Sequence, residues 1–395
     1  MYIHTVKSGE SVYTIAREYA VPVASIIEAN GLTRPDRLTV GEELLILVPS
    51  RSYTAKRGET VSSIARRFGL RKSEIFANNP SLLGKEELYD GQLLSLKYSD
   101  VHLGMGASNG YFFKGCSEEA LARALPYLTY VTVAMARAED GRITKSFDGG
   151  GIVKRIIGEG KIPLVRIYDE NSGDVYEAKR SEEYADALID FAKREGFLGI
   201  TLSIPSEAVE REKYEAFIVG LKRKLIGCDL ILFTEATPER DYGYVDYSDG
   251  CILSYDKISL PEIPSFEVGE RAALNSFAEK SECAKTFVDL SPFAYSEAGY
   301  IGYSEALNMA RERGLSINID NACGVCSYSY EDRSAGKQTV RFESLKNIKA
   351  KLEAVGELGY MGISIDILRC PISHLMMYNA LFSEICYSAA FSYER

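Results

Sequence analysis

Long apolar runs are missing from this 395-residue chain. No stretch approaches the roughly 18 residues that a membrane-crossing helix requires, and the N-terminus MYIHTVKSGE has neither a basic head nor an apolar signal core. No membrane span and no signal peptide are expected, and synthesis is placed in the cytoplasm. A basic excess is missing too: the formal net charge is −10, and the acidic surplus lies beyond residue 100. That argues against nucleic acid, whose recognition rests on neutralising phosphates. Cysteine is absent before Cys116, and the 8 in the chain are scattered rather than framed, so they read as reduced, buried, small apolar residues. Only Cys323 and Cys326, in CGVC, have metal or redox spacing. A zinc site would need a second pair, and His374 is the only one of the 3 histidines downstream. No metal and no cofactor is expected. Tryptophan is absent altogether.

What is present is ordinary globular material, 46% apolar and 26% charged, long enough for two or three folded units. The clearest organisation is a repeat. GESVYTIAREYAVPVASIIEANGL from Gly9 realigns with GETVSSIARRFGLRKSEIFANNPSL from Gly58, pairing Ile15 with Ile64, Ala16 with Ala65 and Asn30 with Asn79. One inserted residue then pairs Leu38 with Leu88 and Gly41 with Gly91. Each copy reads strand, helix, helix, strand: an alternating segment, a Gly-Glu-Ser/Thr turn with an N-cap hydroxyl (Ser11, Thr60), apolar residues at helical spacing, and a return strand after a turn.

These residues resemble LysM modules, whose pattern of Y-x-V-x-x-G-[ED]-[TS]-x-x-x-I-A, then I-x-x-x-N, then L-x-x-G-x-x-L occurs twice, with Ala55 replacing valine in the second copy. The resemblance implies binding of N-acetylglucosamine-containing glycans, peptidoglycan or chitin, in a shallow groove between two loops. By position those loops are Gly9, Glu10, Ser11 and Val12 with Asn30, Gly31 and Leu32, and Gly58, Glu59, Thr60 and Val61 with Asn79, Pro80, Ser81 and Leu82. The expected domains are residues 1–49, 51–98 and a larger body from 99 to 395.

In that body, apolar strands recur near NGYFF, YVTVAMA, IPLVRIY, LGITLSI, LILFTE, GCILSY, KTFVDLS and GYMGISIDIL. Helical patterns such as SEEYADALIDFAKREG and RFESLKNIKAKLEAVGELG fall between them. This is the arithmetic of an α/β fold, a (β/α)8 TIM barrel; a doubly wound sheet would advertise a glycine-rich first turn, and none is present. Active sites of such barrels lie at the C-terminal strand ends, which here offer Asp169, Glu170, Ser203, Glu207, Glu235, Tyr255, Asp256, Asp289 and Asp366.

The barrel resembles family 18 glycoside hydrolases, in particular the spore cortex-lytic group that joins tandem LysM modules to this barrel. The resemblance rests on LPYLTYVTVAMARAEDGRI, CILSYDKI, the final helix and eighth strand, and GFLGITLSIP in the place of the family's G-[FY]-D-G-x-x-[IL]-D-x-E. It implies an acid that protonates the leaving oxygen while the substrate's N-acetyl carbonyl attacks. At the positions this implies, the chain has Leu198 and Ser203 for the aspartates and Pro205 for the glutamate. Glu207 lies about 6.6 Å further along an extended strand, against a tolerance of about 1 Å. Asp366 stands where the family's platform tryptophan ends the eighth strand.

The expectation is a glycan-binding protein of the cell wall or spore envelope with a degenerate hydrolase barrel, deposited on spore coat, cortex or wall, with coat or cortex proteins as further partners. The barrel pocket would be Tyr255, Asp256, Glu235 and Asp366. The alternative is an active N-acetylglucosaminidase or other glycosidase using Glu207, or an acid cluster of Glu235, Asp256 and Asp366.

Overall fold

A computed structural model describes residues 1–98, 102–203, 209–237, 244–254, 270–290, 293–320, 324–332 and 336–384. Pro205, Glu207, Tyr255, Asp256 and Cys323 lie outside the described residues.

Each repeat folds as its pattern dictates. In the first, strands Tyr2–Thr5 and Glu43–Ile46 pair antiparallel around helices Val12–Glu18 and Val23–Asn30. Val12, Ile15 and Ala16 recur at helical spacing and are buried with Ile26, Leu44 and Ile46. The second repeats this with strands Arg51–Thr54 and Leu93–Lys97, helices Val61–Phe68 and Lys72–Asn78, and a 3₁₀ turn at Pro80–Leu82. Ser11 with Thr14 and Thr60 with Ser63 form reciprocal capping boxes, satisfying the otherwise orphaned N–H groups of the first helix of each module.

Eight parallel strands close into a barrel: Gly104–Phe113, Tyr130–Glu139, Ile162–Asp169, Gly199–Leu202, Ile231–Ala236, Gly250–Leu253, Thr286–Asp289 and Gly362–Asp366. The first pairs with both the second and the last, which removes any free edge. Strand parity separates two cores. Val131, Val133, Val165, Ile200 and Leu202 join the surrounding helices in the large outer core, while Tyr130, Leu164, Phe233, Ile252 and Phe287 fill the barrel itself. The rings of Tyr130, Phe233 and Phe287 meet at centroid distances of 4.9–5.8 Å. Gly250 makes room for them, since a Cβ there would lie 2.6 Å from the Phe233 ring.

All eight expected strands are found. Three features differ from the sequence reading. The expected helix beginning at Arg341 starts at Leu345, because Arg341–Glu343 completes a strand, Gly336–Glu343, and Ser344 caps the helix by accepting from Asn347 N at 3.1 Å. The stretch LKYSDVHLGMGASN, residues 96–109, reads in the sequence as the link between modules and barrel, and the link is shorter than that, since strands occupy Leu93–Lys97 and Gly104–Phe113. Between the seventh and eighth barrel strands the chain inserts a five-stranded antiparallel sheet and the helix Tyr303–Arg313. Cys326 is buried in one of those strands rather than opening a helix, the position a thioredoxin-type pair requires.

The modules are seated on the barrel. Ala29, Leu45, Leu47 and Ala77 belong to the barrel's outer core. Tyr127 OH donates to Ala77 O at 2.6 Å, and Asn379 Nδ2 donates to Asn78 Oδ1 at 3.0 Å. The first module also grips the inserted subdomain: Ile317 N donates to Val40 O at 2.8 Å, and Arg311 forms a buried two-pronged ion pair with Glu42.

Candidate functional site

The module loops use most of their expected sugar-contacting side chains for themselves. Gly9 and Gly58 turn at φ +82°, where L side chains are strained. The Glu10 carboxylate accepts from Lys7 N at 2.7 Å and meets His4 Nε2 at 2.9 Å; the backbone bond, then the histidine, hold it below the usual carboxylate range. Glu59 does the same with Lys56 N, Tyr53 OH and Arg67. The amides of Asn30 and Asn79 stitch a helix end to the return strand. Asn30 Nδ2 donates to Ile26 O and Leu45 O, and its Oδ1 accepts from Leu45 N at 2.7 Å. Asn79 bonds Ile75 O, Ser95 O and Ser95 N in the same way, at 2.7–2.9 Å. Val12, Leu32, Val61, Pro80 and Leu82 are buried, and Gly31 ends its helix within 3.2 Å of Ile372 for an added Cβ. What the loops leave available is main chain, Ser81, and neighbouring exposed side chains. Sequence reasoning overlooked Tyr13 among these; its place on the exposed flank of an amphipathic helix directly after the first loop was the available signal.

In the barrel, a layer of hydroxyls and one amide lies below the mouth. Asn109 Nδ2 donates to Ser364 Oγ at 3.0 Å, and Thr132 Oγ1 donates to Asn109 Oδ1 at 2.7 Å. Toward the C-terminal end, Glu235 accepts three short bonds: from Arg166 Nε and Nη2, both 2.6 Å, and from Tyr111 OH, 2.6 Å. The Arg166 guanidinium lies 4.0 Å from the Tyr168 ring centroid. Burial works against the charge on Arg166, but the Glu235 carboxylate outweighs it and raises the guanidinium further above its ordinary value. Burial first, then Glu235, pushes the Tyr111 phenol well up. In this arrangement Glu235 acts as an acceptor of hydrogen bonds.

The remaining candidates are dispersed. Asp169 faces the helix that follows its strand, accepting from Asn171 Nδ2 at 2.8 Å and Tyr184 OH at 3.1 Å, and burial raises it above the usual carboxylate range. Asp366 caps the turn beyond its strand, accepting from Leu368 N at 2.9 Å and Arg369 Nη1 at 3.3 Å. Leu198 precedes the fourth strand, at the end opposite the mouth. Ser203, at the mouth end, uses its hydroxyl to accept from Asp169 N at 2.8 Å. The structure therefore brings Glu235 together with Arg166 and Tyr111, and directs Asp366 to its own turn.

Comparison with known proteins agrees with this architecture. A family model for the LysM domain matches residues 4–47 and 53–97, so the chain carries two LysM domains in tandem. The N-acetylmuramoyl-L-alanine amidase sle1 of Staphylococcus epidermidis is 34% identical over 103 residues, which cover 24% of this chain and 31% of the amidase. The chain thus spans about a third of that relative's length. The Bacillus subtilis protein YdhD, named as a sporulation-specific glycosylase, is 20% identical over 401 residues, covering 90% of this chain and 93% of YdhD. Among solved structures, the spore cortex-lytic enzyme SleL of Bacillus megaterium QM B1551 superposes with a TM-score of 0.75 at 20% identity, covering 97% of this chain and 98% of SleL. Among the described residues, no helix is long and apolar enough to cross a membrane.

Proposed function

We propose that this protein binds N-acetylglucosamine-containing wall glycan, peptidoglycan before chitin, and that its barrel performs no glycoside hydrolysis. Attachment is the work of the LysM domains. The barrel serves as the body that seats them.

One observation carries the loss of hydrolysis. The fourth strand reaches the mouth with a serine, Ser203, whose hydroxyl is committed to Asp169 N, and at the position that the resemblance assigns to the acid the sequence has Pro205, whose side chain has no proton to move. Two acids at other strand ends are engaged elsewhere: Glu235 with Arg166 and Tyr111, Asp366 with its own turn. The likeness to YdhD and SleL supports a spore or wall setting, with cortex or coat proteins as further partners, and delivery from the cytoplasm to that envelope.

The test is to incubate the protein with purified spore cortex, vegetative peptidoglycan and chitin oligosaccharides, measuring bound protein by sedimentation and new reducing ends by mass spectrometry. Binding without cleavage is expected. Cleavage that vanishes in Glu207→Gln would overturn the reading and identify Glu207 as a relocated acid.

A further inference from the structure

The two modules repeat in sequence, but their grooves are not alike. In the second, the Glu86 carboxylate accepts from Ser62 N and Ser62 Oγ, both at 2.9 Å, and pairs with Lys72 Nζ at 2.8 Å. Val61 N donates to Glu86 O at 3.0 Å, and Thr60 forms a β-bridge with Glu87. These contacts fasten the Gly58–Val61 loop to the segment after Leu82. Main-chain donors that a sugar hydroxyl or an N-acetyl carbonyl would use at this loop are thereby occupied. The other groove loop is also confined: Pro80 is buried, and the helix Val23–Asn30 of the first module packs against the Pro80–Leu82 turn.

The first module has no such latch. The repeat alignment places Tyr13, Asp36 and Val23 where Ser62, Glu86 and Lys72 stand. The latch partners in the second module show that position 62 faces the segment across the groove. By the same register, Tyr13 stands beside the groove of the first module, on the first turn of the helix that Ser11 caps. Its side chain is 74% exposed. A flat, largely solvated ring at the lip of a shallow groove is the surface on which the apolar face of a pyranose stacks, and this chain has no tryptophan to supply one. The second module does expose a tyrosine, Tyr89, at 70%, but it lies two residues past the Thr60–Glu87 bridge, in the turn before the return strand Leu93–Lys97.

We infer that the first module holds the working glycan site, with Tyr13 as its stacking platform for a chain of N-acetylated amino sugars, and that the second module is a latched copy. The second module's role is to seat the first: it meets the barrel through Ala77, Asn78 and the hydroxyl of Tyr127, and the first module's helix Val23–Asn30 through the Pro80–Leu82 turn. This inference rests on the glycan-binding function proposed above and assigns it to one module of the pair.

The test is isothermal titration of the full chain with a chitin pentasaccharide, comparing wild type with Tyr13→Ala, Tyr13→Phe, Ser62→Ala and Tyr89→Ala. One site per chain is expected. Tyr13→Ala should weaken binding about ten-fold, the scale of a lost stacking contact, with an unchanged thermal midpoint because the side chain is exposed. Tyr13→Phe should retain affinity, since the ring and not the hydroxyl supplies the face. Ser62→Ala and Tyr89→Ala should stay within about two-fold of wild type. Two sites per chain, wild-type affinity in Tyr13→Ala, or a loss in Tyr89→Ala as large as in Tyr13→Ala would each overturn the inference while leaving glycan binding intact. A wild-type chain that binds neither the pentasaccharide nor peptidoglycan would remove the proposed function and this inference with it.

Discussion

Glu42 and Arg311, 269 residues apart in the chain, meet in a buried ion pair with both carboxylate oxygens engaged, at 2.5 Å to Nη2 and 3.2 Å to Nε. Glu42 belongs to the turn before the return strand of the first LysM domain, and Arg311 to the helix of the subdomain inserted between the last two barrel strands. The pair makes the first module a fixed part of the barrel body. Thr39 N also donates to Glu42, and Asn308 accepts from Arg311, so the remaining valences of the pair are directed.

Removing one partner should therefore be costly. Arg311→Met leaves the Glu42 carboxylate buried among groups placed for its anion, and the expected loss is about 3–5 kcal/mol. The double variant Glu42→Gln/Arg311→Met should recover much of it, because replacing both charges removes the uncompensated ion. Urea denaturation of the single and double variants gives the coupling directly; additive losses would show that the pair contributes nothing as a pair. Gly41→Ala tests the same seam sterically. Its φ is +84° and a Cβ would fall 1.8 Å from Ile317 O, so the module should be displaced from the subdomain and the seam should become accessible to hydrogen exchange.

How far the sequence discloses this arrangement depends on the range of each interaction. The module folds are legible because their determinants are local: Ser11 and Thr60 cap helices three residues away, and Ile15, Ala16 and their counterparts repeat at helical spacing. The barrel strands are legible because parallel strands covered on both faces read as continuous apolar runs such as LGITLSI. The inserted subdomain escaped notice because VCSYSYED and GKQTVRFE alternate polar and apolar residues, a half-exposed pattern that a search for buried runs passes over. Arg311, Glu42, Arg166 and Glu235 read in sequence as ordinary charges; their pairing joins elements distant in the chain, and no periodicity encodes it. Asn30 and Asn79 were visible as repeated residues, but the repeat alone does not separate an amide that ties a helix to a strand from one that meets a sugar.

That last distinction is testable. Asn79→Ala deprives Ser95 N of its acceptor and two carbonyls of their donor in the second module, and the expected effect is a loss of about 2–3 kcal/mol in stability. Glycan affinity measured at a temperature well below the melting transition should change little. A variant that melts like wild type but fails to bind chitin oligosaccharide would return Asn79 to the sugar site.

Glu235 offers the corresponding contrast in the barrel. Glu235→Gln weakens a bidentate ion pair and leaves the Arg166 guanidinium, 17% exposed, with an uncompensated charge. The expected result is destabilisation of about 3 kcal/mol by urea titration, with binding to peptidoglycan preserved. An acid placed for chemistry behaves in the opposite way: its amide variant keeps the fold and loses the activity. Equal stability of Glu235→Gln and wild type, together with the disappearance of a measurable glycosidase activity, would identify Glu235 as that acid.

Acid should loosen the seam at the other side of the first module. His374 is fully enclosed in the final barrel helix; its ring meets Tyr303 of the inserted helix edge-on at 5.0 Å, and Ser373 Oγ lies 3.3 Å from Nδ1. Among the described residues Nε2 has no hydrogen-bond partner, and burial first and the like charge of Lys351 second push its pKa from 6.5 down to about 3. The unfolded chain therefore takes up a proton near pH 6.5 that the folded chain refuses until about pH 3. Stability from this group is complete above its unfolded value and declines as the pH falls through 6.5 toward 3, by about 2 kcal/mol at about pH 5. Replacing the imidazole by a group that does not titrate, His374→Gln, should remove this slope whatever it does to stability at neutral pH. The quantity to compare is the difference in unfolding free energy between about pH 7.5 and about pH 5, which should be smaller in the variant by about 2 kcal/mol. An identical difference in variant and wild type would mean that His374 accepts its proton in the folded chain, and that the seam between Tyr303 and the final barrel helix opens readily enough to hydrate it.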